Sequence, residues 1–155
     1  MKLLSTSASN TKIAKTQKKE QIQTRVASLS LYPDHIICAG SKAAKCMEAC
    51  LKSAGMGVFS NVKAGRKAKT DWFHADQDAF LAQLCKELYN FDKLCKRSGS
   101  IGQVRLNTIS DIAWEKLGVP QLFPDLSFYD YTKRVHRIGN TPTNYKLMFS
   151  YSGAP

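Results

Sequence analysis

Cys38, Cys46 and Cys50 stand in the spacing C-x7-C-x3-C, and a thiol triplet of that kind has two uses. As thiolates they can hold three irons of a four-iron cluster and leave one open, or bind zinc with His35 or His74 as a fourth ligand. Lys42 and Lys45 lie between them, and cationic neighbours favour the thiolate. As neutral thiols they are small apolar groups suited to a core. Spacing alone admits both uses. Cys85 and Cys95 fall on a helical apolar stripe and read as core residues.

A second set lies further along. Arg105 and Asn107 alternate with Val104 and Leu106, Ser110 and Asp111 follow, and Asp130, Tyr131, Lys133 and Arg134 close the next strand-like run. The side-chain period of two puts Arg105 and Asn107 on one face. In parallel α/β folds, ligands bind outside the carboxyl ends of the strands, where these residues fall. The expectation is that both sets border one cavity, with Arg105 and Asn107 turned toward Cys46 and Cys50. The competing reading makes Arg105 a structural ion-pair partner of Asp130 or Asp111. Trp72, His74 and Trp114 read as core or cap residues. His136, with Lys133, Arg134 and Arg137, reads as a solvated turn ending in Gly139-Asn140-Thr141-Pro142. A general-acid pair, a Ser-His-Asp set and a Gly-rich phosphate loop are absent as motifs, so no reaction follows from spacing.

The net charge of +11 is uneven: residues 1–70 carry +10 and the remainder +1. Lys63, Arg66, Lys67 and Lys69 crowd one short helical stretch, and Lys12, Lys15, Lys18 and Lys19 stud the start of the chain. Such asymmetry suits a polyanion, either nucleic acid or a phosphorylated ligand. A merely soluble basic surface has the same appearance, and few aromatics lie among these lysines to stack bases.

The elements that must position these residues follow from the pattern. At 155 residues and 43% hydrophobic, the chain suits one domain with a real core. Residues 1–24 read as a basic arm or extended lead-in, and 25–155 as the α/β domain. Strands are expected at Arg25–Tyr32, Gln103–Asn107, Leu126–Tyr131 and Tyr145–Ser150. Helices are expected at Lys42–Ser53, Asn61–Thr70, Asp76 or Asp78–Lys96 and Ser110–Leu117. On the first of these, Cys46 and Cys50 would share a face. The third has the strongest period, with Phe80, Leu84, Leu88, Phe91 and Cys95 at three- and four-residue steps. Helical connections imply parallel βα units and a partial, barrel-like sheet. No helix follows the last strand to cover it, so the chain reads as the N-terminal piece of a larger βα-repeat fold, or as one that a partner subunit covers. The apolar runs stop well short of the ~18 residues that span a bilayer, and the start lacks a signal-peptide apolar region. Five cysteines, an odd count, then imply reduced thiols in a cytosolic protein.

Leu3-Leu4-Ser5-Thr6 with Asn10-Thr11-Lys12, Cys38 to Cys50 with Cys50-Leu51 and Ala54-Gly55, Val104-Arg105-Leu106-Asn107 with Ser110-Asp111-Ile112, and Phe128-Tyr129-Asp130-Tyr131-Thr132-Lys133 together resemble the gene-product-88-like proteins of bacteriophages. The resemblance runs over nearly the whole chain. It implies a phage-encoded protein acting in the host cytosol and shorter than typical members, and it brings no assigned reaction. Three cysteines behind the first strand also resemble the layout of radical S-adenosylmethionine enzymes. The spacing departs from the C-x3-C-x2-C of those enzymes, and no Gly-rich segment for the methionyl group stands out.

Three functions remain open at this point. One is an enzyme with a cysteine-bound iron–sulfur cluster or zinc, acting on nucleic acid or nucleotides through a pocket of Arg105, Asn107, Ser110, Asp111, Asp130, Tyr131 and Lys133. Another is a non-catalytic nucleic-acid-binding protein using Lys63, Arg66, Lys67 and Lys69. The third is an interaction protein that recognises a host factor by charge.

Overall fold

The computed structural model describes residues 1–6, 24–47, 50, 52 and 54–151. Five strands form one sheet in the order β1-β2-β3-β4-β5: β1 (Leu4–Thr6), β2 (Thr24–Leu29), β3 (Ile101–Arg105), β4 (Ser127–Thr132) and β5 (Tyr145–Phe149). β1 runs antiparallel to β2, and every other pairing is parallel. The sheet is open among the described residues, with β1 and β5 at its edges, so the expected barrel-like closure is not seen. The two long helices, α1 (Ser60–Ala75) and α2 (Gln77–Ser98), together form the crossover from β2 to β3.

Strand alternation builds the core. Ala27, Val104, Phe128 and Tyr145 are aligned across β2 to β5 and all are buried, whereas the next row, which pairs Ser28 with Arg105, is more exposed. α2 lays Phe80, Leu84, Leu88, Phe91 and Cys95, all buried, against this surface, as the period required. The Asp76 side chain caps its start by accepting from the Ala79 N–H at 2.9 Å. Gly99 ends it at φ 61°, where the N–H groups of Gly99 and Ser100 return to the Lys96 and Cys95 carbonyls. Gly102 lets the helix lie close: a Cβ there would meet Leu126 Cδ2 at 2.5 Å and Cys95 Sγ at 3.1 Å. Phe73 of α1 joins the core through edge-to-face contacts with Phe80 and Trp114.

Several expectations need correction. The lead-in begins as β1, and Leu3 and Leu4 are buried; Glu87 of α2 accepts from both of their N–H groups, and Lys69 of α1 donates to the Leu3 carbonyl. A three-residue strand is too short to display a period. Lys12, Lys15, Lys18 and Lys19 lie outside the described residues.

The helix expected over 42–53 is absent among the described residues. From His35 to Lys45 the chain is a run of turns, and Lys45 takes the left-handed conformation at φ 46°, which interrupts any helix. The Asp34 carboxylate accepts from the Ile36 and Ile37 N–H groups and so opens the run of turns. The helix expected over 110–117 is likewise replaced by turns, followed by a 3-10 turn at Pro120–Leu122. Among the described residues, no helix is long and apolar enough to cross a membrane.

Candidate functional site

The carboxyl ends of β2 to β5 open onto a cleft of about 390 Å³. Four segments wall it. The turn-rich loop after β2 brings Cys38, Ser41, Cys46 and Cys50; β3 and the loop beyond it bring Arg105 and residues 107–111; the end of β4 brings Tyr131, Thr132 and Lys133; and Ser150 follows β5. Backbone and thiol contacts stitch the first two walls together. The Asp111 N–H donates to the Ile37 carbonyl at 2.9 Å, and Cys38 Sγ lies 3.7 Å from the Ile109 carbonyl oxygen. Gly40 allows the thiol loop to meet the β4 end, since a Cβ there would stand 3.2 Å from Lys133 Cβ.

The structure therefore brings the three cysteines to the same cleft as Arg105, Asn107, Ser110, Asp111, Tyr131 and Lys133, although Cys46 and Cys50 do not reach it from a helix face. Asp130 lies beneath the cleft rather than on its wall. Neither His35 nor His74 lines it: His35 Nδ1 meets Ser41 Oγ at 3.2 Å, and His74 Nε2 pairs with Asp34 Oδ2 at 2.7 Å. Among the described residues no group of three or more His, Cys, Asp or Glu side chains is gathered as a ready metal cage. Cys38, Cys46, Cys85 and Cys95 form no disulfide, and burial pushes the Cys38 thiol up to about 12, with Cys50, Asp111, Cys46 and Asp34 adding to the effect.

Most of the expected polar residues are committed to structure. Asn107 is a hub: its Oδ1 accepts from Ser110 Oγ (2.9 Å), the Ile112 N–H (2.9 Å) and Trp114 Nε1 (3.0 Å), while its Nδ2 donates to the Ile112 carbonyl (2.9 Å). Its backbone N–H donates to Asp130 Oδ1 at 2.8 Å, and the Tyr145 hydroxyl donates to Asp130 Oδ2 at 3.0 Å. Asp111 is ion-paired with Arg137 and accepts from Thr132 Oγ1 and the Lys133 N–H. Arg137, read from sequence as part of a solvated turn, is 2% exposed and also grips Glu115 through Nε at 2.8 Å and Nη2 at 2.7 Å. The basic run Lys133–Arg137 conceals this, because both carboxylates that Arg137 holds come from a different loop.

Arg105 is different. The ion pairs among the described residues do not include it, so neither Asp130 nor Asp111 is its direct partner. Its guanidinium carbon lies 5.1 Å from the centre of the Tyr131 ring, and its Nε is buried without a hydrogen-bond partner. Thr108, which sequence reasoning missed, shares that condition: its Oγ1 is buried without a partner on the same cleft. Its place three residues past a strand-end arginine was the available signal. The basic residues of α1 lie elsewhere. Lys67 pairs with Asp71 at 2.9 Å, and Lys69 is held by the Leu3 carbonyl.

Asp130 carries a pH prediction. Burial, opposed by hydrogen bonds from Asn107 and Tyr145 and by the nearby Arg105 charge, pushes its carboxyl from the ordinary 3.8 up to about 7. The unfolded chain then releases this proton first, so Asp130's contribution to stability is complete below about pH 4 and is lost as pH rises toward 7. Asp130→Asn removes that loss. Urea denaturation at pH 4.5 and 7.5 should show the variant gaining on the wild type by about 3 kcal/mol between the two. Parallel pH profiles for both proteins would refute it.

No curated protein and no solved structure matches the chain. A family model described as gene product 88 matches residues 2–155. Since that model spans nearly the whole chain, the chain belongs to the gene product 88 family.

Proposed function

We propose that the chain is a phage-type enzyme, or part of one, that works through this cleft and holds a metal ion or iron–sulfur cluster there on Cys38, Cys46 and Cys50, with a nucleotide or nucleic acid as substrate. The observation that carries the reading is the convergence of three thiols and the unpaired Arg105 on one cleft at the carboxyl end of a parallel sheet. Electrostatics support it. Cys38 is held protonated partly by the acids and thiols around it, and a bound cation reverses that effect. A metal on three thiolates keeps an open coordination position for substrate. Arg105 and Lys133 provide positive charge at the mouth, Tyr131 a flat wall, and Asn107 and Asp111 the rigid frame. A partner that covers the β5 edge of the sheet fits this reading, since Met148 and Phe149 there are 41% and 47% exposed.

Metal analysis and an ultraviolet–visible spectrum of anaerobically purified protein test the proposal. Zinc, or iron with sulfide, is expected in the wild type and absent in C38S/C46S/C50S. Equal metal content in the two, or none in either, ends it.

The charge of the first 70 residues supports a second reading, a non-catalytic nucleic-acid-binding protein. It expects salt-dependent binding that weakens when Lys63, Arg66, Lys67 and Lys69 are neutralised and that ignores the cysteine substitutions. Electrophoretic shifts at two salt concentrations decide it, and salt-independent binding would count against it.

A further inference from the structure

Arg105 and Thr108 both line the cleft, and each carries a buried donor without a hydrogen-bond partner, Nε and Oγ1. Buried polar groups in folded proteins nearly always find partners, so two orphans on one wall call for a ligand or solvent atom that accepts from both. The neighbouring carboxylates do not serve. Neither Asp130 nor Asp111 forms an ion pair with Arg105; Asp130 accepts from the Asn107 N–H and the Tyr145 hydroxyl, and Asp111 serves Arg137, Thr132 and the Lys133 N–H. Arg105 is held in place by Tyr131, whose ring lies 5.1 Å from the guanidinium carbon. Thr108 is pinned by its N–H to the Leu29 carbonyl at 3.3 Å. Lys133 Nζ is anchored to the Ser150 carbonyl at 2.7 Å and to Ser150 Oγ at 3.0 Å, which leaves one of its three protons to spare.

We propose that the cleft contains a phosphoryl-binding subsite, in which Arg105 and Thr108 donate to the phosphate of a small phosphorylated molecule and Lys133 adds positive charge. This inference rests on the reading of the cleft as the working site and is independent of whether the thiols hold metal. A guanidinium fork, a hydroxyl and an ammonium on different walls suit a tetrahedral, multiply charged group better than a planar carboxylate, which a single fork satisfies. The cleft volume of about 390 Å³ matches a small molecule.

The test titrates the full chain with inorganic phosphate, pyrophosphate and acetate, followed by backbone amide shifts. Phosphate and pyrophosphate are expected to move the amides of Thr108, Lys133 and Ser150. Their affinity should fall roughly tenfold or more in R105Q and about threefold in T108V, with R105K between R105Q and the wild type. Circular dichroism confirms that each variant is folded. Unchanged affinity in folded R105Q, shifts confined to the α1 lysines, or acetate binding as tightly as phosphate would each overturn the proposal. Metal content and phosphate binding of the wild type together separate the two readings. Wild-type protein that carries no metal yet binds phosphate keeps the subsite and ends the metal reading, and metal-loaded wild type that ignores phosphate does the reverse.

Discussion

Replacing Arg137 by Met should cost about 3–5 kcal/mol of folding stability in urea denaturation at neutral pH. The guanidinium is 1% exposed and binds two carboxylates that are each only 8% exposed, Asp111 and Glu115. With the cation gone, Glu115 and Asp111 remain near each other in a low-dielectric interior, and Asp111 keeps only the Arg134 guanidinium, 3.5 Å away, to offset its desolvation. Methionine fills part of the volume, so the loss is electrostatic more than a packing effect. Two comparisons isolate the cause. Lys86→Met, on the exposed side of α2, should change stability by no more than about 0.5 kcal/mol. Adding Glu115→Gln to Arg137→Met should cost less than the two single losses combined, because the second change removes a charge that the first left stranded. A strictly additive pair would show that Arg137 contributes by packing alone.

Asn107→Ala should be the second most damaging change, at about 3 kcal/mol. It leaves the Ile112 N–H, the Trp114 Nε1–H and the Ser110 hydroxyl without their shared acceptor, and the Ile112 carbonyl without its donor. Each is buried or close to it, so water can replace only part of what is lost. Ser110→Ala removes one of the same hydrogen bonds together with its donor and should cost only about 1 kcal/mol. Thermal or urea melts rank the two, and Trp114 fluorescence reports the change in its surroundings. If Asn107→Ala melts like the wild type, the hub does not hold the loop. The result bears on function too: a protein weakened in this way loses activity through its frame, so only substitutions at Arg105, Thr108 or the cysteines speak directly to ligand binding.

The amphipathic period of α2 and the alternation of Val104 with Arg105 in β3 were legible because each is a local pattern that the buried face simply follows. The stripe Phe80, Leu84, Leu88, Phe91 and Cys95 is buried throughout. The placement of the cysteines beside the strand ends was legible as well, since parallel connections return each loop to the same end of the sheet. The two shorter helices were not: Lys45 turns left-handed within one, and the Asn107 side chain takes the Ile112 N–H within the other.

By itself, then, the amino-acid sequence determined the parallel α/β class, the helix that covers the sheet, and which residue types gather at its carboxyl end. Tertiary structure alone decided how those residues are used. Asp130 and Asn107 meet from different strands and satisfy each other, Arg137 folds back to take Asp111 and Glu115, and Arg105 and Thr108 are left with unpartnered donors at the cleft. The reason is that burial and periodicity are properties of a segment, whereas the partner of a buried polar atom is whichever group the fold brings within about 3 Å, often from more than twenty residues away.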